Sequence, residues 1–469
     1  MSDHLAFMTI GRRHSRLCRV NCPRGVASLV VVMLLFFVVA LVAAYTSRNM
    51  LFEQRTGVNQ LRSTQALEAA QAGLEWAVGM LNAGRIGDDC TVSLDTTKTT
   101  FRQRYLNLDG PAPVSAGIAP GNGTGLVTPK LRSNGLQLLP SCVATATAWS
   151  CSCPVDDAPL LTSSTGAVLP AFRVRFLNEP NGVVGLVKIE INGCTKLDDS
   201  CLNFPATSTL GEGRATVFAL LALKSAVVTP PVAAFTGRST LTGSVRAVNT
   251  DASAGGIAAQ SGAAVAVDTS KLQGPPGTPI QLAIIENDTA LSAAKLPADP
   301  WPLGDRMFAS VFGMWPRVYL EQPSAVVLDC GLVACVSATV RNVANLNPGR
   351  VIWVRGNLSV NDAGAIGSAD EPVVLVVEGD LAFTSDATIF GLVYGGRSPV
   401  APLVPWAISG TGAIPAAPGL SHIRGALVAE HAAAATIDPV VFFDKAILNR
   451  LRLTSGTFVM VPGSWRDFP

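Results

Sequence analysis

From Val26 to Tyr45 runs VASLVVVMLLFFVVALVAAY, twenty residues without a charge, in which Ser28 is nearly the only polar group. At helical rise the run spans roughly 30 Å, the thickness of a bilayer hydrocarbon core. A buried soluble helix of that length normally shows a polar stripe, so the pattern predicts a membrane-spanning helix. The periodicity then changes without a break. In TSRNMLFEQRTGVNQLRSTQALEAAQAGLEWAVGMLNAG, the positions Leu67, Ala70, Leu74, Ala77, Val78 and Leu81 recur at spacings of three and four, which makes one helical face apolar. The joined segment predicts a helix of roughly 55 residues, about 80 Å long. Its first half suits lipid and its second half suits a soluble domain.

Beyond this helix the pattern becomes that of a β protein. Residues 83–228 carry short alternating runs at Val143–Trp149, Phe172–Leu177, Val183–Ile191 and Arg214–Leu223, punctuated by Gly, Pro and Asn. Such a sheet would bury the apolar face of the helix. Thr229-Pro230-Pro231 breaks the pattern and predicts a boundary. Residues 232–469 then show weak repetition: Ile352-Trp353-Val354-Arg355-Gly356-Asn357-Leu358 returns 23 residues later as Leu375-Val376-Val377-Glu378-Gly379-Asp380-Leu381. Ile366-Gly367 is echoed by Ile389-Phe390-Gly391, and Ile423–Val428 echoes Ile389–Val393. Repeats of this length with short strands predict a β-helix or similar solenoid, with a sandwich as the alternative. Residues 304–314 read as a short amphipathic helix with Asp305 near its start and Gly313 near its end. The expected class is therefore α+β, mostly β.

Composition supports this reading. Only 14% of residues are charged, and 43 Gly with 31 Pro are too many for an all-helical chain. The net charge of +2 is uneven: Arg12, Arg13, Arg16, Arg19 and Arg24 face only Asp3 in residues 1–25, which leaves the remainder slightly acidic. An acidic body excludes nucleic acid as a partner. Arginines before the apolar run place the N-terminus in the cytoplasm and everything after Arg48 outside. An ordinary secretory signal has a shorter apolar stretch that ends at its cleavage site. Here Gly25 lies on the cytoplasmic side instead.

Arg24-Gly25-Val26-Ala27-Ser28-Leu29-Val30 looks like a prepilin-peptidase site, and residues 24–78 resemble the N-terminal domain of PilX-type minor pilins. The resemblance rests on that start, on Glu53 and Asn59, and on Gln65-Ala66-Leu67-Glu68-Ala69-Ala70-Gln71-Ala72-Gly73-Leu74. It implies cleavage after Gly25 by the prepilin peptidase and N-methylation of Val26. It also implies a helix that enters the filament core through Leu29, Val30, Leu34, Phe37 and Leu41. Most pilins carry Glu at the fifth mature position, where it meets the free amine of a neighbouring subunit; here that position is Val30. A carboxylate in a bilayer costs roughly 2.5–3.5 kcal/mol, so it is kept where a partner charge awaits. A subunit with no neighbour above it has no such partner, and Val30 thus points to the filament tip. Four pieces, at 304–314 and within 351–469, also resemble long PilX-like proteins, the last being Val461-Pro462-Gly463-Ser464-Trp465-Arg466-Asp467-Phe468. That tail reads as a cap on the solenoid, with Trp465 covering its exposed end.

The domains expected are a leader at 1–25, a transmembrane and amphipathic helix at 26–82, a β-rich pilin-like domain at 83–228, and a solenoid-like domain at 232–469. The partners implied are other minor pilins, the major pilin, a PilY-family tip adhesin, the prepilin peptidase and the inner membrane. The expected location is single-pass in the inner membrane with a periplasmic body, and then the extracellular pilus tip. Adhesion to surfaces or glycans is the rival reading, and a tethered β-helix enzyme acting on polysaccharide is the third.

Ten cysteines divide between Cys18 and Cys22 in the leader and eight beyond it: Cys90, Cys142, Cys151, Cys153, Cys194, Cys201, Cys330 and Cys335. An even number outside the cytoplasm predicts disulfides. Cys194 with Cys201 and Cys330 with Cys335 would close short loops, and the other four would pair among themselves. Irregular spacing and scarce histidine count against zinc. No catalytic constellation, cofactor motif or metal set is expected. Of the histidines only His422 and His431 lie outside the leader. Asp380 with Asp386 is a weak glycan-cleaving pair, and Asp198-Asp199 a weak calcium site.

Overall fold

The computed structural model describes residues 26–108, 125–132, 134–155, 169–179, 181–204, 213–292, 306–331, 333–395, 405–410, 421–436 and 438–467. The chain divides into two compact units, 1–61 and 62–469. Helix α1 runs from Val26 to Leu81. In the first unit every side chain from Ser28 to Leu61 is exposed, although its apolar window has a mean hydropathy of 2.8. Thr46 and Thr56 do not break the helix. Their hydroxyls donate back to Val42 O at 2.9 Å and Phe52 O at 2.8 Å, which satisfies them inside the coil.

In the second unit α1 buries Ala66, Ala69, Ala70, Gly73, Leu74, Ala77 and Leu81. They cover a six-stranded antiparallel sheet ordered Gly456–Met460, Arg214–Ser225, Leu186–Cys194, Ala171–Leu177, Ser141–Ala144, Trp149–Ser152. Small residues on the buried stripe let the helix approach the strands closely. Around them Phe101, Phe172, Phe176, Ile189, Ile191, Val217 and Phe458 complete one core. Two strand expectations need correction. Val143–Trp149 is a hairpin, because the Thr145 hydroxyl accepts Ala148 N–H and turns the chain. The run expected from Val183 starts at Leu186, because the Glu179 carboxylate accepts the N–H groups of Asn181 and Val183 in a preceding turn.

Between Ser225 and Gly456 lies a parallel region. One sheet follows the order Ile284–Ile285, Ile257–Ser261, Ala233–Gly237, Ile423–Ala429, Ile389–Gly395, Val373–Val377, Val351–Arg355, Ala325–Asp329, with every neighbouring pair parallel. From Val351 to Ala429 the chain alternates between this sheet and a second, seven-stranded parallel one. The repeat read from the sequence appears as register: Val351 pairs with Val374 and Leu358 with Leu381, 23 residues apart. Ile389 pairs with Ile423 and Gly391 with Gly425. Val373–Val377 is buried at all five positions, as strands covered on both faces are. The helix expected at 304–314 is Arg306–Phe312, closed by Gly313 at φ +70°; Gly304 and Asp305 lie outside the described residues.

Strand order in this region does not follow chain order. The region begins in the middle of its own sheet, because Ala233–Gly237 lies between Ile257–Ser261 and the late strand Ile423–Ala429. Early and late strands therefore meet along a seam, where Leu427 pairs with Phe235 and Ala433 with Leu241. The C-terminal tail also differs from expectation. Gly456–Met460 pairs antiparallel with Arg214–Ser225, and Arg466 exchanges main-chain bonds with Phe218 at 2.8 and 3.0 Å. The tail thus completes the antiparallel sheet and does not cap the parallel one, and Trp465 stays 40% exposed. The parallel region is an insertion between two adjacent strands.

Candidate functional site: the N-terminal helix and its seat

The residues expected to enter a filament core lie together on the first part of α1. Leu29, Val30, Leu34, Phe37 and Leu41 are 50–63% exposed. Apolar surface on this scale calls for lipid or protein around it. Val30 sits among Leu29, Val31, Val32 and Leu34, all exposed and uncharged. Gly25 of the processing site lies outside the described residues, and Val26 is the first residue of α1.

The seat of α1 depends on buried polar groups that the apolar pattern did not reveal. Just past the helix end, Asn82 donates from Nδ2 to Phe458 O at 2.9 Å, and its Oδ1 accepts Phe458 N–H at 2.8 Å. Arg102 donates from Nε to Leu81 O at 2.8 Å and from both Nη atoms to Gly456 O at 3.1 Å. Burial, with the like charge of Arg350 adding to it, pulls that guanidinium down to about 10; it stays charged at neutral pH. Arg85 donates to the main-chain oxygens of Asn345 and Lys98 and pairs with Glu371 at 2.9 Å. Arg104 holds Ile86 O at 3.0 Å, Gly87 O at 3.1 Å and the carbonyl of Cys153. In a chain with only 14% charge, the closeness of Arg85, Arg102 and Arg104 to the helix end was the trace that the sequence offered, and their burial was not legible in it.

The eight cysteines form four pairs: Cys90–Cys153, Cys142–Cys151, Cys194–Cys201 and Cys330–Cys335. Cys18 and Cys22 lie outside the described residues. Cys142 and Cys151 face each other across the hairpin that Thr145 turns. The two aspartates considered for calcium are committed elsewhere. Asp199 pairs with buried Arg173 at 2.7 Å, and Asp198 accepts Ser200 N–H at 2.9 Å as a helix cap. Among the described residues no three His, Cys, Asp or Glu side chains cluster as metal ligands. Asp380 and Asp386 are exposed, and Asp380 accepts Ala407 N–H at 3.3 Å. A cleft of about 420 Å³ is lined by Gln103, Lys130, Asp370, Glu371 and Arg450. Its Glu371 is already held by Arg85 and Gln103.

Both histidines sit in the parallel region as buried groups. His431 Nδ1 lies 2.8 Å from Arg238 Nη2. His422 Nδ1 accepts Val440 N–H at 3.0 Å, and the ring lies 4.9 Å from Phe383. Burial holds the His422 imidazole below its ordinary value, against a smaller opposing pull from Asp386. A group that titrates lower when folded binds fewer protons in the folded state than in the unfolded one. Its stabilising effect is full above the unfolded pKa of about 6.5 and is lost as pH falls below it. Stability is therefore expected to drop between pH 7 and pH 5. His422→Asn, whose amide still accepts Val440 N–H, should flatten that slope in urea midpoints measured across the range. An unchanged slope would assign the acid sensitivity to other groups.

Comparison with known proteins bears on the helix and not on the body. Residues 24–75 match the family model described as PilX N-terminal. No curated protein matches the chain. Among solved structures, the competence-associated pilin ComZ from Thermus thermophilus is similar at 12% identity, over 86% of this chain and 97% of that one. The TM-score is 0.18, too low to bear on the fold.

Proposed function

From its PilX-type, type IV pilin-like segment at residues 24–75, we propose that the chain is a minor subunit of a type IV pilus or related pseudopilus. It primes assembly and sits at or near the filament tip. The observation that carries the reading is α1 itself: an exposed apolar stretch, without charge from Ser28 to Ser47, on the same helix as a later stretch whose small-residue stripe is buried on a sheet. The first half anchors the subunit in the inner membrane, N-terminus inside, and then exchanges lipid for sister helices. Val30 in place of a carboxylate suits a subunit with no neighbour above it. Bulk favours the same position, since some 390 residues follow the helix and repeating them along a packed shaft would be sterically awkward. The alternating parallel sheets and the 23-residue register support a solenoid reading of the inserted region. The role is structural, with other minor pilins, the major pilin and a PilY-family tip adhesin as partners.

Mass spectrometry of the mature chain tests this directly. A first residue at Val26 carrying one methyl group is expected, together with fewer fibres when the gene is deleted. A chain that keeps its leader and never co-purifies with sheared fibres overturns the reading. Normal fibre number with lost attachment would instead favour a tip adhesin.

A further inference from the structure

The closing strand Gly456–Met460 is reached by the chain only after the whole parallel insertion, yet it lies in the core that receives α1. Phe458 is buried in one cluster with Ala70, Leu74, Ala77 and Leu81. Its main-chain N–H and C=O on the edge away from Arg214–Ser225 are both taken by the Asn82 amide. The side chain thus acts as one more rung of the ladder. Arg102 spans the same joint, from Leu81 O at the helix end to Gly456 O, with its guanidinium 5.4 Å from the Phe458 ring. Gly456 in turn donates its N–H to Gly349 O of the insertion at 2.9 Å. Only glycine fits there, because φ is +139° and a Cβ would lie 2.0 Å from Lys224 O.

We infer that Asn82, Arg102 and the closing strand form a latch that makes seating of the second half of α1 conditional on completion of the inserted region. Until Gly456–Met460 arrives, Asn82 and Arg102 face a helix end with no acceptor from that strand. Burying them in that state is unfavourable, so the helix stays loose. The rest of the antiparallel sheet is stapled independently by Cys90–Cys153, Cys142–Cys151 and Cys194–Cys201. None of these cysteines lies in α1. The device lets a subunit present a seated helix only after its distal part has folded. Its value in assembly rests on the pilin reading; its existence does not.

Hydrogen exchange on the full-length chain in detergent tests it, with Asn82→Ala and a variant ending at Ser455. Amides of α1 from Ala66 to Leu81 should lose protection by at least about tenfold, the scale of one buried amide deprived of its partner. The strands Ala171–Leu177, Leu186–Cys194 and Val351–Arg355 should keep theirs. Unchanged protection in α1 overturns the latch. So does equal loss across the sheet, because the contacts would then support the fold at large. If Asn82→Ala does not accumulate, Arg102→Lys is judged by the same two outcomes, since it keeps the charge but loses the fork that joins Leu81 O to Gly456 O. A chain that shows this exchange pattern but keeps its leader and never co-purifies with sheared fibres would count against the pilin reading and leave the latch standing.

Discussion

Gly193→Val should unseat the second half of α1 and cost at least about 3 kcal/mol in stability. A Cβ at Gly193 would lie 2.2 Å from Ala66 O and 2.5 Å from Ala70 N. Both are main-chain atoms of the helix, so no side-chain rotation relieves the overlap. The helix must lift away from the strand, and Ala69, Ala70 and Gly73 then lose their cover. Gly213 makes the same demand one strand away, 2.3 Å from Arg62 O, and its replacement should behave alike. Gly79 supplies the contrast. It lies on an exposed turn of the same helix with nothing within 4 Å of a Cβ, so Gly79→Ala should stabilise by up to about 1 kcal/mol through helix propensity. Thermal unfolding of the three variants checks the order. If Gly193→Val unfolds like the parent, the close approach of helix to strand is not what holds α1 in place.

The contrast between these glycines also marks where sequence reading reached its limit. The apolar run from Val26, the spacing of Leu67, Ala70, Leu74 and Ala77, and the repeat of Trp353 at Val376 are all local or periodic signals. Each was visible because side chains on one face recur at the period of the element. Gly193 and Gly213 carry no such signal. Their importance comes from a helix more than a hundred residues away in sequence. The pairing of Gly456–Met460 with Leu221–Ser225 is equally silent, because antiparallel register over such a separation leaves no mark in either strand alone. Ala233–Gly237 reads as a weak strand, and nothing in it announces Ile423–Ala429 as its neighbour. Buried polar groups were hidden for a related reason. Asn82, Arg85 and Arg102 look like ordinary loop residues until distant carbonyls converge on them.

The seam between early and late strands of the parallel region should be the second place where one substitution has a large effect. Arg238 follows the first strand and donates from Nε to Glu430 O at 2.7 Å. The Glu430 carboxylate, fully buried, lies 3.7 Å from the same Nε and accepts the Tyr394 hydroxyl. Below it a second clip joins three segments: Lys271 Nζ reaches Ser244 Oγ at 2.6 Å and the Asp438 oxygens at 2.6 and 2.7 Å. The two clips differ in depth. Lys271 and Asp438 are each about a third exposed, so water screens their attraction and its loss should be modest. Arg238 and Glu430 are shielded from water, and removing Arg238 takes from a dry site both its hydrogen bond to Glu430 O and the charge that faces the carboxylate. Arg238→Met is therefore expected to cost about 3–5 kcal/mol. Converting both partners, Arg238→Met with Glu430→Leu, should cost less, because the two facing charges leave the dry site together, although Tyr394 then loses its acceptor. Urea unfolding followed through buried Trp353 would read both variants. A single variant no worse than the double would mean that the buried charge pair does not hold the seam, and that the apolar ladder from Phe235 to Leu427 closes it alone.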